Sequence, residues 1–188
     1  MRFKGPVKPG GEFVELEGTA QEVQAKLLEL NPSYAKENFT EFHKEREAVR
    51  VRKEESDRRA REKHGSLEKR DWMNCENAPG NEAWIWAYVG DGLTEGINYL
   101  NGLNGYCWAP RGWGGCSRVS CSWSLGITLC NDNDFEVWVW CGNLAGDAWD
   151  IWLDCGRISD DGWTSWLKGQ LFRSYSFGWN TIVNQQNC

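Results

Sequence analysis

The chain has 188 residues, with 21 Lys+Arg against 27 Asp+Glu and a net charge of −6, a length that suits one average domain or two small ones. The charge is unevenly placed: residues 1–70 carry +2, and residues 71–188 carry −8 together with all 8 Cys and all 13 Trp. An acidic half of that kind argues against nucleic acid and against anionic membranes as partners, because both want a basic surface.

In chain order, residues 1–11 hold Gly5, Pro6, Pro9, Gly10 and Gly11 and are expected to be irregular. "FVELEG" reads as a short strand closed by a glycine turn. Thr19 and Glu22 then form a Thr-x-x-Glu capping box at the start of "AQEVQAKLLEL", whose Val23, Leu27 and Leu28 make a helical stripe that stops before Pro32. Residues 35–63 are rich in Glu, Lys and Arg with opposite charges three or four apart, which predicts a solvated helix. Its few apolar residues, Phe39, Phe42, Val49 and Val51, require it to lean on something. Asn38 opens an Asn-Phe-Thr glycosylation sequon.

Gly65-Ser66 ends that helix, and Lys69-Arg70 follows where the composition changes. A dibasic pair in an exposed linker suits a kexin-type protease, whereas Arg58-Arg59 lies inside the predicted helix, where backbone is hard to thread. The chain therefore reads as a pro-segment, residues 1–70, joined to a mature domain, residues 71–188.

In the second part, Trp84 and Trp86 would share one strand face with Ile85 on the other, unless this stretch opens a helix. Val89, Leu93, Ile97 and Leu100 have helical spacing, ended by "NGLNG". "SRVSCS" and "GITLC" read as strands joined by the hairpin "WSLG". "NDND" at 131–134 is read as a polar turn, with an oxygen-ligated calcium as the alternative. "FEVWVW" is a strand with Phe135, Val137 and Val139 on one face and Glu136, Trp138 and Trp140 on the other. "CGNLAGDAWDIWLDCG" is an amphipathic helix: Leu144, Ala148, Ile151 and Cys155 form the stripe, and Asp147, Asp150 and Asp154 an acidic face. "GQLFRSY" and "GWNTIVNQQ" close the domain as paired strands.

Cys75, Cys107, Cys116, Cys121, Cys130, Cys141, Cys155 and Cys188 are even in number, include no C-x-x-C and have no His after Arg70 beside them. That favours four disulfides over a zinc site and implies an oxidising, extracellular compartment. "MRFKGPVKPG" lacks the apolar core of a signal peptide, so the expectation is that the signal has been removed and Met1 supplied as a start. The missing His also removes Ser-His-Asp and Cys-His catalysis from residues 71–188, leaving a two-carboxylate hydrolase as the residual enzymatic reading. Tryptophan is in excess of what so small a core needs. Trp149 and Trp152 are assigned to the core, while Trp108, Trp113 and Trp123 lie near loops and are the better candidates for exposure; with Trp138 and Trp140 they form the candidate binding surface.

"CSRVSCSWSLGITLCNDN", the helix ending at Cys155, "GQLF" and "WNTIVNQQNC" resemble a family of small secreted ascomycete proteins with Cys-x-Arg-Val-Ser-Cys-Ser and Cys-Asn-Asp-Asn signatures. The likeness runs over roughly 91–188, and "GTAQEV" with the terminal Lys-Arg is similar to fungal effector pro-segments. The resemblance implies a candidate virulence effector with a killer-toxin-like cysteine-rich α+β design, and carries over no catalytic residue. Cys107 and Cys141 stand outside the family pattern and are expected to pair with each other.

The expected fold is α+β: a disulfide-stapled antiparallel sheet with two packed helices, preceded by a mostly helical pro-segment. The expected function is that of a secreted, non-enzymatic, monomeric effector or toxin-like protein, cut after Arg70, that binds a host or competitor target without a cofactor. The alternative is a carbohydrate-binding protein that uses exposed Trp on a cell-wall glycan.

Overall fold

A computed structural model describes residues 1–64, 71–76, 86–160, 165–173 and 178–188. In order the elements are β1 (Arg2–Pro6), β2 (Phe13–Glu17), α1 (Ala20–Leu30), a 3-10 turn at Tyr34–Lys36 and α2 (Thr40–His64). After these come β3 (Trp72–Asn74), β4 (Ala87–Tyr88), α3 (Gly92–Gly102), β5 (Tyr106–Ala109), β6 (Gly115–Ser122), β7 (Leu125–Asn131) and β8 (Val137–Trp140). The last are α4 (Cys141–Cys155), β9 (Arg157–Ile158), β10 (Ser165–Leu167), β11 (Gly169–Arg173) and β12 (Trp179–Gln185). The strands form three antiparallel sheets, ordered β2-β1-β5-β8, β4-β10-β9 and β3-β11-β12-β7-β6. The class is α+β, with four α-helices and four disulfides among the described residues.

The local signals act as their chemistry requires. Thr19 and Glu22 close the capping box on α1, and Val23 and Leu27 are buried. Trp123 and Ser124 make the tight turn between β6 and β7 with φ of 52° and 61°, the left-handed pair that matches the twist of a hairpin. Leu144, Ala148, Ile151 and Cys155 are all buried along α4, which packs on α3, β11 and β12. The 131–134 turn is tied by its own side chains: Asn131 donates to the carbonyls of Pro110 (2.9 Å) and Phe135 (2.6 Å), and Asp132 accepts from Asn180 (2.9 Å). The disulfides join Cys75–Cys155, Cys107–Cys141, Cys116–Cys130 and Cys121–Cys188. The second is the pairing expected for Cys107 and Cys141.

Three expectations are corrected. Residues 2–6 are not irregular but form a central strand, with Phe3 opposite Cys107 and Lys4 opposite Tyr106. The glycines that read as loop are what permit it: a Cβ on Gly5 would lie 2.7 Å from the Asn104 carbonyl, and one on Gly105 2.5 Å from the Phe3 ring. Asp147 is not on an acidic surface but 1% exposed. It sits three residues after Leu144 and four before Ile151, so it belongs to the buried stripe. Arg173 on β11, Trp179 and Thr181 compensate it there, at 2.8, 2.9 and 2.6 Å. Trp149 is 50% exposed rather than core, because it stands off the helix stripe of Leu144, Ala148, Ile151 and Cys155, whereas Trp152 is partly buried against the core.

Residues 1–39 supply Phe3, Ala20, Val23, Leu27, Tyr34 and Phe39 to the same core as α3, β5 and α4. The Tyr34 hydroxyl accepts from the Asn104 amide at 2.8 Å. Burial raises the Tyr34 phenol above its ordinary value of 10.0, with the two Asn104 donors pulling the other way. The native value therefore exceeds the unfolded one, so this group's contribution is complete below about pH 10 and is lost as pH rises through the native value. Denaturant midpoints between pH 7 and 11 should fall at the alkaline end. Tyr34→Phe should flatten that fall while costing about 1–2 kcal/mol at neutral pH, the penalty of an unpartnered buried amide.

Candidate functional site

Register places one row of side chains across the outer face of the β2-β1-β5-β8 sheet: Glu15, Lys4, Tyr106 and Trp140. The adjacent row pairs Trp108 with Trp138. Their neighbours in sequence, Phe3, Cys107, Val137 and Val139, point inward and are buried, as strand alternation requires. Three of the five candidate tryptophans thus meet on one surface.

The two ends of this face differ. At the Trp108–Trp138 end the Arg2 guanidinium lies 5.0 Å from one ring centroid and 5.4 Å from the other. Glu136 accepts from the Trp108 indole N–H at 2.8 Å and from that of Trp138 at 3.4 Å. Those two hydrogen bonds hold its carboxyl below the usual Glu range. Both tryptophans remain partly open to solvent. At the other end α2 lies over Trp140, which is only 8% exposed. Phe42 and His43 approach its ring at 5.7 and 5.4 Å, and the Arg46 guanidinium sits 4.4 Å from it. His43 Nε2 is 2.7 Å from Asn104 Oδ1, which fixes the helix on the β5 side. Phe13 meets Phe42 edge-on at 5.8 Å. Between α2 and β8 runs a groove of about 480 Å³ lined by Arg46, Val49, Tyr106, Trp138, Trp140 and Asn143, among others.

Trp113 and Trp123 lie elsewhere. Trp113 is 96% exposed in the loop before β6, and Trp123 is 70% exposed at the hairpin tip, its indole donating to Glu95 at 3.1 Å. Trp108 lies on β5, one residue from its end, and is partly exposed, whereas Trp140 is covered rather than open. Asn38 precedes α2, and its Oδ1 accepts from the Thr40 amide at 3.0 Å. Lys69, Arg70, Trp84 and Ile85 lie outside the described residues.

Tyr106, Arg2 and Phe13 are parts of the face that sequence reading missed. Tyr106 had a signal, since "YCWA" alternates as "VWVW" does. Arg2 and Phe13 had none, because their place depends on register between distant strands.

Chemically, the open end offers flat indole rings beside the Glu136 carboxylate and a charged cluster in which Glu15 pairs with Arg2 at 3.1 Å and Lys4 at 3.0 Å, a surface that stacks on a ring or packs an apolar side chain. Among the described residues no group of three or more His, Cys, Asp or Glu could hold a metal ion, and no helix is long and apolar enough to cross a membrane. Comparison with known proteins finds no matching family model, no matching curated protein and no matching solved structure.

Proposed function

We propose that the chain is a secreted, non-enzymatic, effector- or toxin-like fungal protein that works by binding a host or competitor molecule through the aromatic face around Trp138 and Trp140. In this reading a kexin-type protease cuts after Arg70, and the molecule acts as a monomer outside the cell. The observation that carries it is the position of α2: the helix that buries Trp140 belongs to the part of the chain that such a cut would sever. No disulfide crosses the cut, since all eight cysteines follow Arg70. Cutting would therefore leave the covering segment held by non-covalent contacts alone.

The test is the intact mass of the protein secreted by a fungal host, measured under denaturing, non-reducing conditions. Two masses meeting between Arg70 and Asp71, the heavier one alkylated at eight thiols only after reduction, are expected. A single uncut chain sinks the processing part of the reading.

The second reading is a carbohydrate-binding protein. It draws on the open end alone, where Trp108 and Trp138 sit side by side with Glu136 beside their indole nitrogens. On a panel of cell-wall polysaccharides, Trp108→Ala with Trp138→Ala should then weaken binding by about 30-fold or more, the scale of lost aromatic anchors. Binding that survives both changes removes the glycan reading.

A further inference from the structure

We infer that the face of residues 71–188 covered by β1 is a strand-acceptor site, which takes an extended segment reading Phe-x-Gly along β5. The inference rests on the processing reading, because the site opens to exchange only once the chain is severed ahead of Asp71.

Three observations carry it. First, β1 is an interior strand: it hydrogen-bonds to β5 on one side and to β2 on the other, so its loss would leave β5 as a bare edge. A bare edge of that kind pairs readily with an added strand. Second, the recognition is specific. Phe3 is 0% exposed. Its ring lies against Gly105, where a Cβ would come within 2.5 Å, and against Gly5, where one would come within 2.6 Å. A Cβ on Gly5 would also strike the Asn104 carbonyl at 2.7 Å. The slot thus requires a large aromatic at one position and glycine two residues on. Third, nothing covalent retains the occupant. The Cys107–Cys141 bond ties β5 to the start of α4 without involving residues 1–64.

The same geometry sets the order of events. Phe3, Ala20, Val23, Leu27, Tyr34 and Phe39 are all buried against the rest of the molecule. The severed segment should stay in place through gel filtration, giving a two-chain molecule. A competing segment with the same pattern contends for the place of β1, and Trp140 is uncovered when the whole severed segment leaves, because α2 continues from it.

The experiment uses the full chain with residues 65–70 replaced by the recognition sequence of a site-specific protease, so that severing does not depend on a kexin-type enzyme. Cut and uncut protein are each incubated with a fluorophore-labelled peptide of residues 1–64, and label entering the protein peak is followed. Expected is entry into cut protein only, with Phe3→Ala and Gly5→Val peptides each about 100-fold weaker competitors, the scale of an emptied or overfilled buried aromatic site. Equal competition by the variant peptides overturns the inference, as does a cut protein that excludes the wild-type peptide. Exchange after the engineered cut, with no cut by a kexin-type protease in the natural chain, would leave the acceptor site standing and remove the processing reading.

Discussion

Asp147→Ala should lower the unfolding free energy by about 3–5 kcal/mol, the usual cost of removing one partner of a buried, hydrogen-bonded ion pair. Asp147 is 1% exposed and receives the Trp179 indole N–H at 2.9 Å, the Thr181 hydroxyl at 2.6 Å and the Arg173 guanidinium at 2.8 Å. Alanine strands two buried donors at once, each worth about 1–3 kcal/mol when unpartnered. Arg173 keeps Asp71 at 2.9 Å and Asp150 at 2.8 Å, so its charge is not abandoned and the loss stays at this scale. Asp147→Asn keeps the shape but turns one acceptor into a donor that must face another donor, and should cost less than alanine. Burial also pushes the Asp147 carboxyl above the ordinary 3.8, with Arg173, Thr181 and Trp179 opposing. A raised native value means that stability from this titration is complete below the unfolded value and declines as pH rises through the native one. The asparagine variant should show a flatter profile across that range. Urea midpoints read by tryptophan fluorescence check both parts. An alanine variant within about 0.5 kcal/mol of the parent, the spread of an ordinary surface change, would mean that the network holds nothing.

That network also marks where sequence reading stops. Helix α4 was legible because Leu144, Ala148, Ile151 and Cys155 repeat at helical spacing. Asp147 lies on the same stripe, but a carboxylate is assigned to solvent until a partner is known. The partner, Arg173, arrives from a strand that sequence order does not place beside it. The N-terminal strand fails for a related reason. Gly5 permits backbone to approach Asn104 and Phe3, yet in sequence it is indistinguishable from a loop glycine. The composition step at Lys69-Arg70 is real, but the sheet runs across it: Phe3 pairs with Cys107. Alternation was enough to put Trp138 and Trp140 on one face. The cover over Trp140 was not legible, since Phe42, His43 and Arg46 reach it only through tertiary packing.

Replacing Cys75 and Cys155 together by serine should lower the melting temperature by about 10 °C, the largest loss among the four disulfides. The bond closes a loop of 80 residues, which in the chain-entropy account contributes about 4–5 kcal/mol; in a chain of this length each kcal/mol moves the midpoint by roughly 2–4 °C. Cys116–Cys130 closes only 14 residues and joins positions already opposite each other on β6 and β7. Its double serine variant should lose about 3 kcal/mol by the same account. Place in the fold widens the difference. Among the described residues β3 is a three-residue strand at the edge of its sheet, paired with β11 and held there by Trp72 stacking on Phe172 at 5.1 Å. Cys75 follows it directly and fastens it to the end of α4. A cut after Arg70 would make this short strand the start of the chain, with no covalent support upstream. The Cys75/Cys155 variant should therefore fall further when cut than when intact, and the Cys116/Cys130 variant should fall equally in both forms. Differential scanning calorimetry on the four samples reads the comparison directly. A larger loss for Cys116/Cys130 would mean that β3 draws its stability from packing, and that the disulfide only records a contact already made.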